Sequence, residues 1–543
     1  MISRYFHTIR YLKPKQIYRR IWFHLIRPSI DESPSFYLRD KKNVFCLPVQ
    51  KKASLINKDT FHFLYISKSL SEVGWNGNNN IVSKLWRYNQ HYFDDLNAIG
   101  SVKRKVWHDN LLNRWVNENK IGKGVGWEPY PTSLRIVNWI KWKFSQKKLS
   151  STSTQSLIFQ ARWLSKRVEW HILGNHLFSN AKALVFAGLF FSGKESEVWL
   201  KKGLKIIRDA LTEQVLGDGG NFERSPMYHA IFLEDILDLI NISKVYPKEI
   251  QEQQVNEWIK TANSMLGWLD TMTHPDGEIS FFNDAAIGIA PNLNELKRYA
   301  QRLGVNYSSV KFNKIEHLQD SGYVRITSNN ATALLDVAPI GPDYIPGHAH
   351  ADTLSFELSL FGQRFLVNSG TSEYKTGIVR KYERSTKAHN TVEINNNNSS
   401  EVWNEFRVAR RAYPFDLKIE ELENFTNISC AHDGYKRLTG KPIHVRNWQF
   451  FGSSFIIKDN IEGFFKNAYA YFHFHPSINI VMNEDSILKI VMPNGQQVVL
   501  HVKTGKPQIE KSYFSLEFGK RFKTKCLKVA FDEKDGSCVQ ILW

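Results

Sequence analysis

The stretch Gly347-His348-Ala349-His350-Ala351-Asp352-Thr353-Leu354, running into Ser355-Phe-Glu-Leu-Ser-Leu-Phe361, sets two imidazoles and a carboxylate at every second position ahead of an alternating run. In an extended chain residues i, i+2 and i+4 share one face, so the spacing predicts that His348, His350 and Asp352 point the same way at a strand entrance. Two readings fit that face. One is a hydrogen-bonded histidine pair at the mouth of a strand; the other is a group that carries chemistry.

Working outward, the period of two continues through Thr332–Val337, Arg364–Val367, Asn447–Phe451, Ala468–Phe474 and Gln497–Val502, with Asn395–Ser400 as a polar turn. Many short alternating strands predict an antiparallel β-sandwich over residues 311–543. Before residue 310 the apolar period is helical, in Lys103–Asn119, Ser133–Gln146, Thr154–Leu173, Asn180–Phe191, Glu195–Leu216, Tyr228–Val245 and Gln251–Met272. Serial helices joined by short Gly-, Pro- and Asn-rich loops predict an α/α toroid over residues 76–310, with residues 1–75 as a basic, aromatic lead-in. The expected fold class is therefore α and β in separate domains, helices first.

The chain has 543 residues, 42% hydrophobic and 23% charged, enough for several packed cores. Its 72 Lys+Arg against 53 Asp+Glu leave a formal charge of +19, which favours a polyanionic partner. No zinc-finger spacing, phosphate-binding loop or RNA-recognition signature is present, which argues against nucleic acid. The 16 Trp, 21 Tyr and 35 Phe permit stacking on sugar rings. Cys46, Cys430, Cys526 and Cys538 form no C-x-x-C pair and are read as free thiols. The longest apolar run, Ala183–Phe191, is too short to cross a bilayer, and the N-terminal segment lacks the apolar core of a signal peptide. Tyr11 to Arg27 mixes basic and aromatic residues, as a helix packed on its own domain or one lying on an anionic surface.

Four segments in the helical half complete the reading. Gly174-Asn175-His176 opens a helix, and Asn221-Phe-Glu-Arg-Ser-Pro-Met-Tyr228-His229 leads into another. Trp86–Asp95 and Trp127–Arg135 read as aromatic, polar loops. Singly, such pieces are most often caps, turns or core covers.

Together with the histidine stretch and Arg384-Ser-Thr-Lys-Ala-His389-Asn390-Thr-Val392, in this order, they resemble the heparinase II/III-like polysaccharide lyases, which include alginate and oligoalginate lyases. The resemblance implies the same toroid-plus-sandwich fold and β-elimination at a uronic acid. In that reaction a base takes the C5 proton, charge spreads into the C6 carboxylate, and an acid protonates the departing oxygen at C4. It implies Asn175 and His176 as binders of the carboxylate, with His176 as base for one stereochemistry. Tyr228 would be the acid, and the base for the other stereochemistry. His348 would close the site from the sandwich. Glu223 and Arg224 are expected at the substrate, Arg224 also lending the positive charge that would ionise Tyr228, or else pairing with Glu223. Tyr88, Asn89, Tyr92, Trp127, Tyr130 and Arg135 are expected to line one wall.

Family members commonly hold a zinc ion, and His350 and His389 match two of its ligands. The third position reads Asn368, a neutral amide in place of the usual Asp, with Asp352 as a substitute ligand. The resemblance implies an acidic polysaccharide partner and a cell-envelope location, whereas the absent signal-peptide core leaves the cytoplasm open. A non-catalytic acidic-glycan-binding protein is the alternative. Hydrolysis would need paired carboxylates, and Glu223 and Asp284 are the residues nearest to that role.

Overall fold

The computed structural model describes all residues except 1, 34–35, 78–80, 147–148, 308–313, 329, 485 and 533–534. Helices dominate up to Leu293–Arg302 and antiparallel strands follow from Ile315–Leu318. The expected boundary at 310 lies outside the described residues. The toroid helices include Lys105–Glu118, Pro129–Gln146, Ser151–Lys166, Gly174–Phe190, Lys194–Gln214, Pro226–Val245 and Glu252–Thr271. Their shared core is built on fully buried Trp86, Trp115, Trp139, Trp142 and Trp258. Much of the aromatic surplus thus packs the toroid rather than facing sugar.

Two elements correct the sequence reading. Trp86–Asp95 is helical from Lys84 to Tyr92, capped by Ser83, whose side chain accepts the Trp86 N–H. In Trp127–Arg135, Trp127 ends the short 3-10 turn Val125–Trp127 and the rest from Pro129 opens the helix Pro129–Gln146, with a proline whose missing N–H costs nothing at a helix start. Buried Arg87 and Gln90 make these segments look polar, because their side chains satisfy backbone carbonyls inside the fold rather than meeting water.

The C-terminal half forms a sandwich. Five strands in sequence order, from Ile315–Leu318 to Gln363–Leu366, make one antiparallel sheet. The Leu366–Phe474 bridge joins it to a four-stranded sheet containing Val392–Ile394 and Ala468–His473. An eight-stranded sheet packs against them, with Phe356, Leu358 and Phe472 meeting Ile428, Trp448 and Ile457 in one core. The histidine stretch itself is not in a ladder; its strand begins at Phe356.

Several buried histidines are fixed in one tautomer. His91 Nδ1 accepts from Trp115 Nε1 at 3.0 Å while its Nε2 faces the Trp75 carbonyl at 3.0 Å. His229 Nδ1 accepts the Asn221 N–H at 3.1 Å and its Nε2 faces the Met265 carbonyl at 2.9 Å. Burial pushes both down from 6.5 to about 3. A depressed histidine stabilises the fold above its unfolded pKa and loses that contribution as pH falls toward the folded value. Each site should therefore cost on the order of 1.4 kcal/mol per pH unit below about 6.5. Chemical denaturation between pH 7 and pH 4 should show steep loss of stability; a flat profile would contradict these two sites.

Candidate active site

Tyr228 sits in the first turn of Pro226–Val245. Ser225 caps that helix, accepting the Tyr228 N–H at 3.2 Å and donating its hydroxyl to the Asp284 carbonyl at 2.5 Å. The Tyr228 ring stacks on His348, centroids 3.7 Å apart, and its hydroxyl lies 2.8 Å from that of Tyr374. Burial first, then Tyr374 and the Asp284 charge, push the Tyr228 hydroxyl well above 10. The phenol therefore keeps its proton in the free site. The charge expected from Arg224 goes elsewhere: its guanidinium donates to the carbonyls of Ser321, Asp320 and Phe222, clasping the first sandwich hairpin. Neither Tyr228 nor Glu223 is its partner.

His348 is held at both nitrogens. Nδ1 lies 2.9 Å from Asp284 Oδ2 and Nε2 lies 3.5 Å from Glu223 Oε2. Asp284 also takes His350 Nε2 at 2.8 Å, Thr371 Oγ1 at 3.1 Å and both terminal nitrogens of Arg380. Burial alone would raise this carboxyl, but Arg380 and the two histidines hold it well below its ordinary range. The two histidines thus share a face as predicted, each on one oxygen of Asp284. Asp352 departs from it, with Oδ2 accepting the Asn283 N–H at 3.0 Å.

Across the cleft, Asn175 and His176 lie in the first turn of Gly174–Phe190, a helix that starts earlier than its apolar period suggests. Leu173 and Gly174 both take positive φ, 68° and 52°, to make the sharp entry. A side chain at Gly174 would meet Glu223 Oε1 at 2.8 Å, so Glu223 packs on this turn and accepts the Asn175 N–H. Burial raises the Glu223 carboxyl, while His348 and His176 nearby oppose the rise. His176 Nδ1 is 3.2 Å from Glu169 Oε1, which leaves Nε2 for the cleft. Asn175 makes no side-chain hydrogen bond among the described residues.

The expected wall is realised in part. Tyr130 lies against His176 at 4.4 Å, Tyr92 against Tyr130 at 6.0 Å, and Tyr88 against Tyr92 at 6.3 Å. Asn89 is half-buried, its amide donating to the Leu85 carbonyl at 2.8 Å. Trp127 and Arg135 do not belong to the wall. Trp127 packs against Trp115 and Trp163 in the core, and Arg135 is fully buried with its guanidinium 3.9 Å from the Trp115 ring. The Trp115 ring and the Gln160 side-chain oxygen occupy that buried guanidinium, so no sugar carboxylate reaches it. Behind Tyr130 lies an ion network the sequence did not suggest, with Lys51 on Asp94 at 3.0 Å and Lys182 on Asp235 at 2.6 Å.

The zinc donor set falls short. His350 Nδ1 and His389 Nε2 face each other at 3.1 Å, and because the other ring nitrogens donate to Asp284 and to the Ser385 carbonyl, both facing atoms carry lone pairs and make two donors, with no third beside them among the described residues. Asn368 Oδ1 accepts the Asn390 N–H at 3.0 Å and its amide nitrogen donates to the Phe281 carbonyl, so the residue is spent on backbone. Asp352 is engaged by Asn283. Among the described residues no group of three or more His, Cys, Asp and Glu is arranged to hold a metal. The four cysteines are free.

Two family profiles match the chain: Heparinase II/III N-terminus over residues 119–306 and Heparinase II/III-like, C-terminal, over 313–542. The heparin-sulfate lyase of Bacteroides stercoris is 28% identical over 243 residues, 41% of this chain and 36% of its own length. That of Pedobacter heparinus is 26% identical over 330 residues, 52% of this chain and 47% of its own. The chain therefore spans about half or less of the curated relatives it matches. A heparinase III crystal structure superposes with a TM-score of 0.66 at 17% identity, covering 84% of this chain and 76% of that one. A heparan sulfate lyase mutant from Pedobacter heparinus gives 0.62 at 18%, covering 97% and 87%. These structures share the fold.

Replacing Asp284 by Ala should leave Arg380 buried without its partner and cost about 3–5 kcal/mol in chemical denaturation. A loss below about 1 kcal/mol would remove Asp284 from the centre of the site. Protein purified without chelator should hold well under one equivalent of zinc by elemental analysis; a stoichiometric ion would overturn the reading of Asn368.

Proposed function

Since the chain belongs to the heparinase II/III-like family, we propose that it cleaves a uronic-acid-containing acidic polysaccharide of glycosaminoglycan type by β-elimination. The observation that carries this reading is the stacked Tyr228–His348 pair, with a protonated phenol fixed over an imidazole that Asp284 and Glu223 orient. Elimination asks for a proton donor at the leaving oxygen, a base at C5 and donors for the carboxylate where charge develops. Tyr228 supplies the first. His176, held by Glu169 at Nδ1 so that Nε2 is left without a protein partner among the described residues, supplies the second. The free Asn175 amide supplies the third, and His348 would join it where substrate displaces Glu223 from Nε2. Tyr374, 2.8 Å from Tyr228, is placed to return a proton after each turnover.

No step needs a nucleophile or added water. Glu223 and Asp284, the carboxylates that hydrolysis would require, both hold His348, which leaves neither free for a glycosidase role. The +19 charge suits an anionic polymer, and the names of the curated relatives point the first assays at heparan-type chains, with alginate and polyglucuronate as comparisons. The cleft opens between a toroid wall and a sandwich wall, so substrate would be held from both domains.

Incubation with such polymers should release 4,5-unsaturated uronate, read by ultraviolet absorbance. Tyr228→Phe should keep the fold and lower the rate by about 10²- to 10⁴-fold. If that variant kept more than about half the wild-type rate, Tyr228 would not be the proton carrier.

A further inference from the structure

Two N-terminal helices stand outside both domain cores. Ile2–Ile9 buries no residue and Pro14–Leu25 buries only Gln16. They are held by polar and cation-π pins rather than by apolar packing. Gln16 donates to the Tyr344 carbonyl at 3.1 Å, Lys15 lies 3.8 Å over Trp170, and the Arg167 guanidinium lies 3.5 Å over Phe23. Trp403 Nε1 donates to Thr8 at 3.2 Å. Trp170 and Arg167 come from the toroid, Tyr344 and Trp403 from the sandwich, so the helices run along the seam that carries the cleft.

The outward faces are apolar. Phe6 is 63% exposed and Ile9 50%; Ile21, Trp22 and Leu25, one turn apart, are 57%, 58% and 76% exposed. In an ordinary amphipathic surface helix these are the residues that would face the core, and here they face water. Around them stand Arg10, Arg20 and Arg27, exposed and meeting no carboxylate among the described residues. The first acidic residue of the chain is Asp31.

We propose that this surface docks the protein on an anionic lipid bilayer, both helices lying flat among the headgroups. A bilayer is the partner that takes both halves of the pattern, since the acyl boundary receives the aliphatic side chains and anionic headgroups receive the arginines. A soluble polyanion would satisfy the arginines and leave Ile21 and Leu25 in water. A second copy of the chain across a two-fold axis would bury the aliphatics but bring arginine against arginine. The helices cannot insert across the membrane: at 8 and 12 residues they are too short, and no helix among the described residues is long and apolar enough to span. Docking in this way would hold the cleft beside the membrane.

The test is co-flotation of the full chain with vesicles of phosphatidylcholine alone and with phosphatidylserine added, at low and high salt. The protein should float with the anionic vesicles, release as salt rises, and stay unbound with the neutral ones. Trp22→Ala with Leu25→Ala should weaken binding through lost apolar contact. Arg20→Gln with Arg27→Gln should weaken it by about tenfold or more. Because these side chains are exposed, both double variants should melt like the parent and keep its rate on soluble substrate. Absence of flotation, equal flotation with neutral vesicles, or undiminished binding by both variants would overturn the proposal. So would a lipid-free dimer in light scattering that Trp22→Ala with Leu25→Ala dissolves, which would assign the surface to a second copy. Capture by soluble acidic polysaccharide, lost in Arg20→Gln with Arg27→Gln and unaccompanied by vesicle binding, would assign it to the polymer.

Discussion

One buried carboxylate, Asp284, ties the two halves of the molecule together beside Tyr228 and His348. Its side chain is fully buried, which an ion tolerates only with close partners, and here Arg380, His348, His350 and Thr371 share its two oxygens. Its backbone carbonyl takes the Ser225 hydroxyl, and its N–H donates to the His348 carbonyl at 2.9 Å. The loop that carries it extends from the toroid. Through Ser225 it fixes the helix start that presents Tyr228, and through its side chain it fixes the two sandwich histidines. A buried ion pair is weak evidence of stability in itself, because desolvation offsets most of the attraction. Its work here is registration, shared with Asn283, which bonds Asp352 and His350, and with the Tyr228–Tyr374 hydroxyl pair.

The same carboxylate orients the imidazole, with Glu223 on the opposite nitrogen of His348. Tyr228, stacked on that ring and desolvated, keeps its proton. Under the proposed elimination, that burial would serve the chemistry by keeping the phenol an acid.

Much of the architecture was legible in the sequence because its periods are clean. Thr332–Val337 alternates and is a strand, and Tyr228–Val245 repeats every three to four residues and is a helix. Asn175, His176, Tyr228 and His348 were legible through the family resemblance, from short motifs at helix starts and a strand approach. Asp284, Arg380, Tyr374 and Glu169 could not be assigned their roles. Asp284 meets His348 from 64 residues away and Arg380 from 96, and no spacing encodes such contacts. The one available signal was an Asn-Asp pair inside the apolar run Ile279–Ile287, a place where charge survives only with partners. Trp127 and Arg135 misled for the converse reason. Trp and Arg suit a sugar-binding wall and a buried cation-π cage equally well, and only packing tells them apart.

The account stands on elimination without water. Its most direct test is to weigh the products from a defined uronate oligosaccharide treated with the protein. Elimination predicts two fragments whose masses sum to that of the substrate, the one ending in the altered ring being unsaturated. Fragments that together gain one water would contradict it and move the chemistry to hydrolysis.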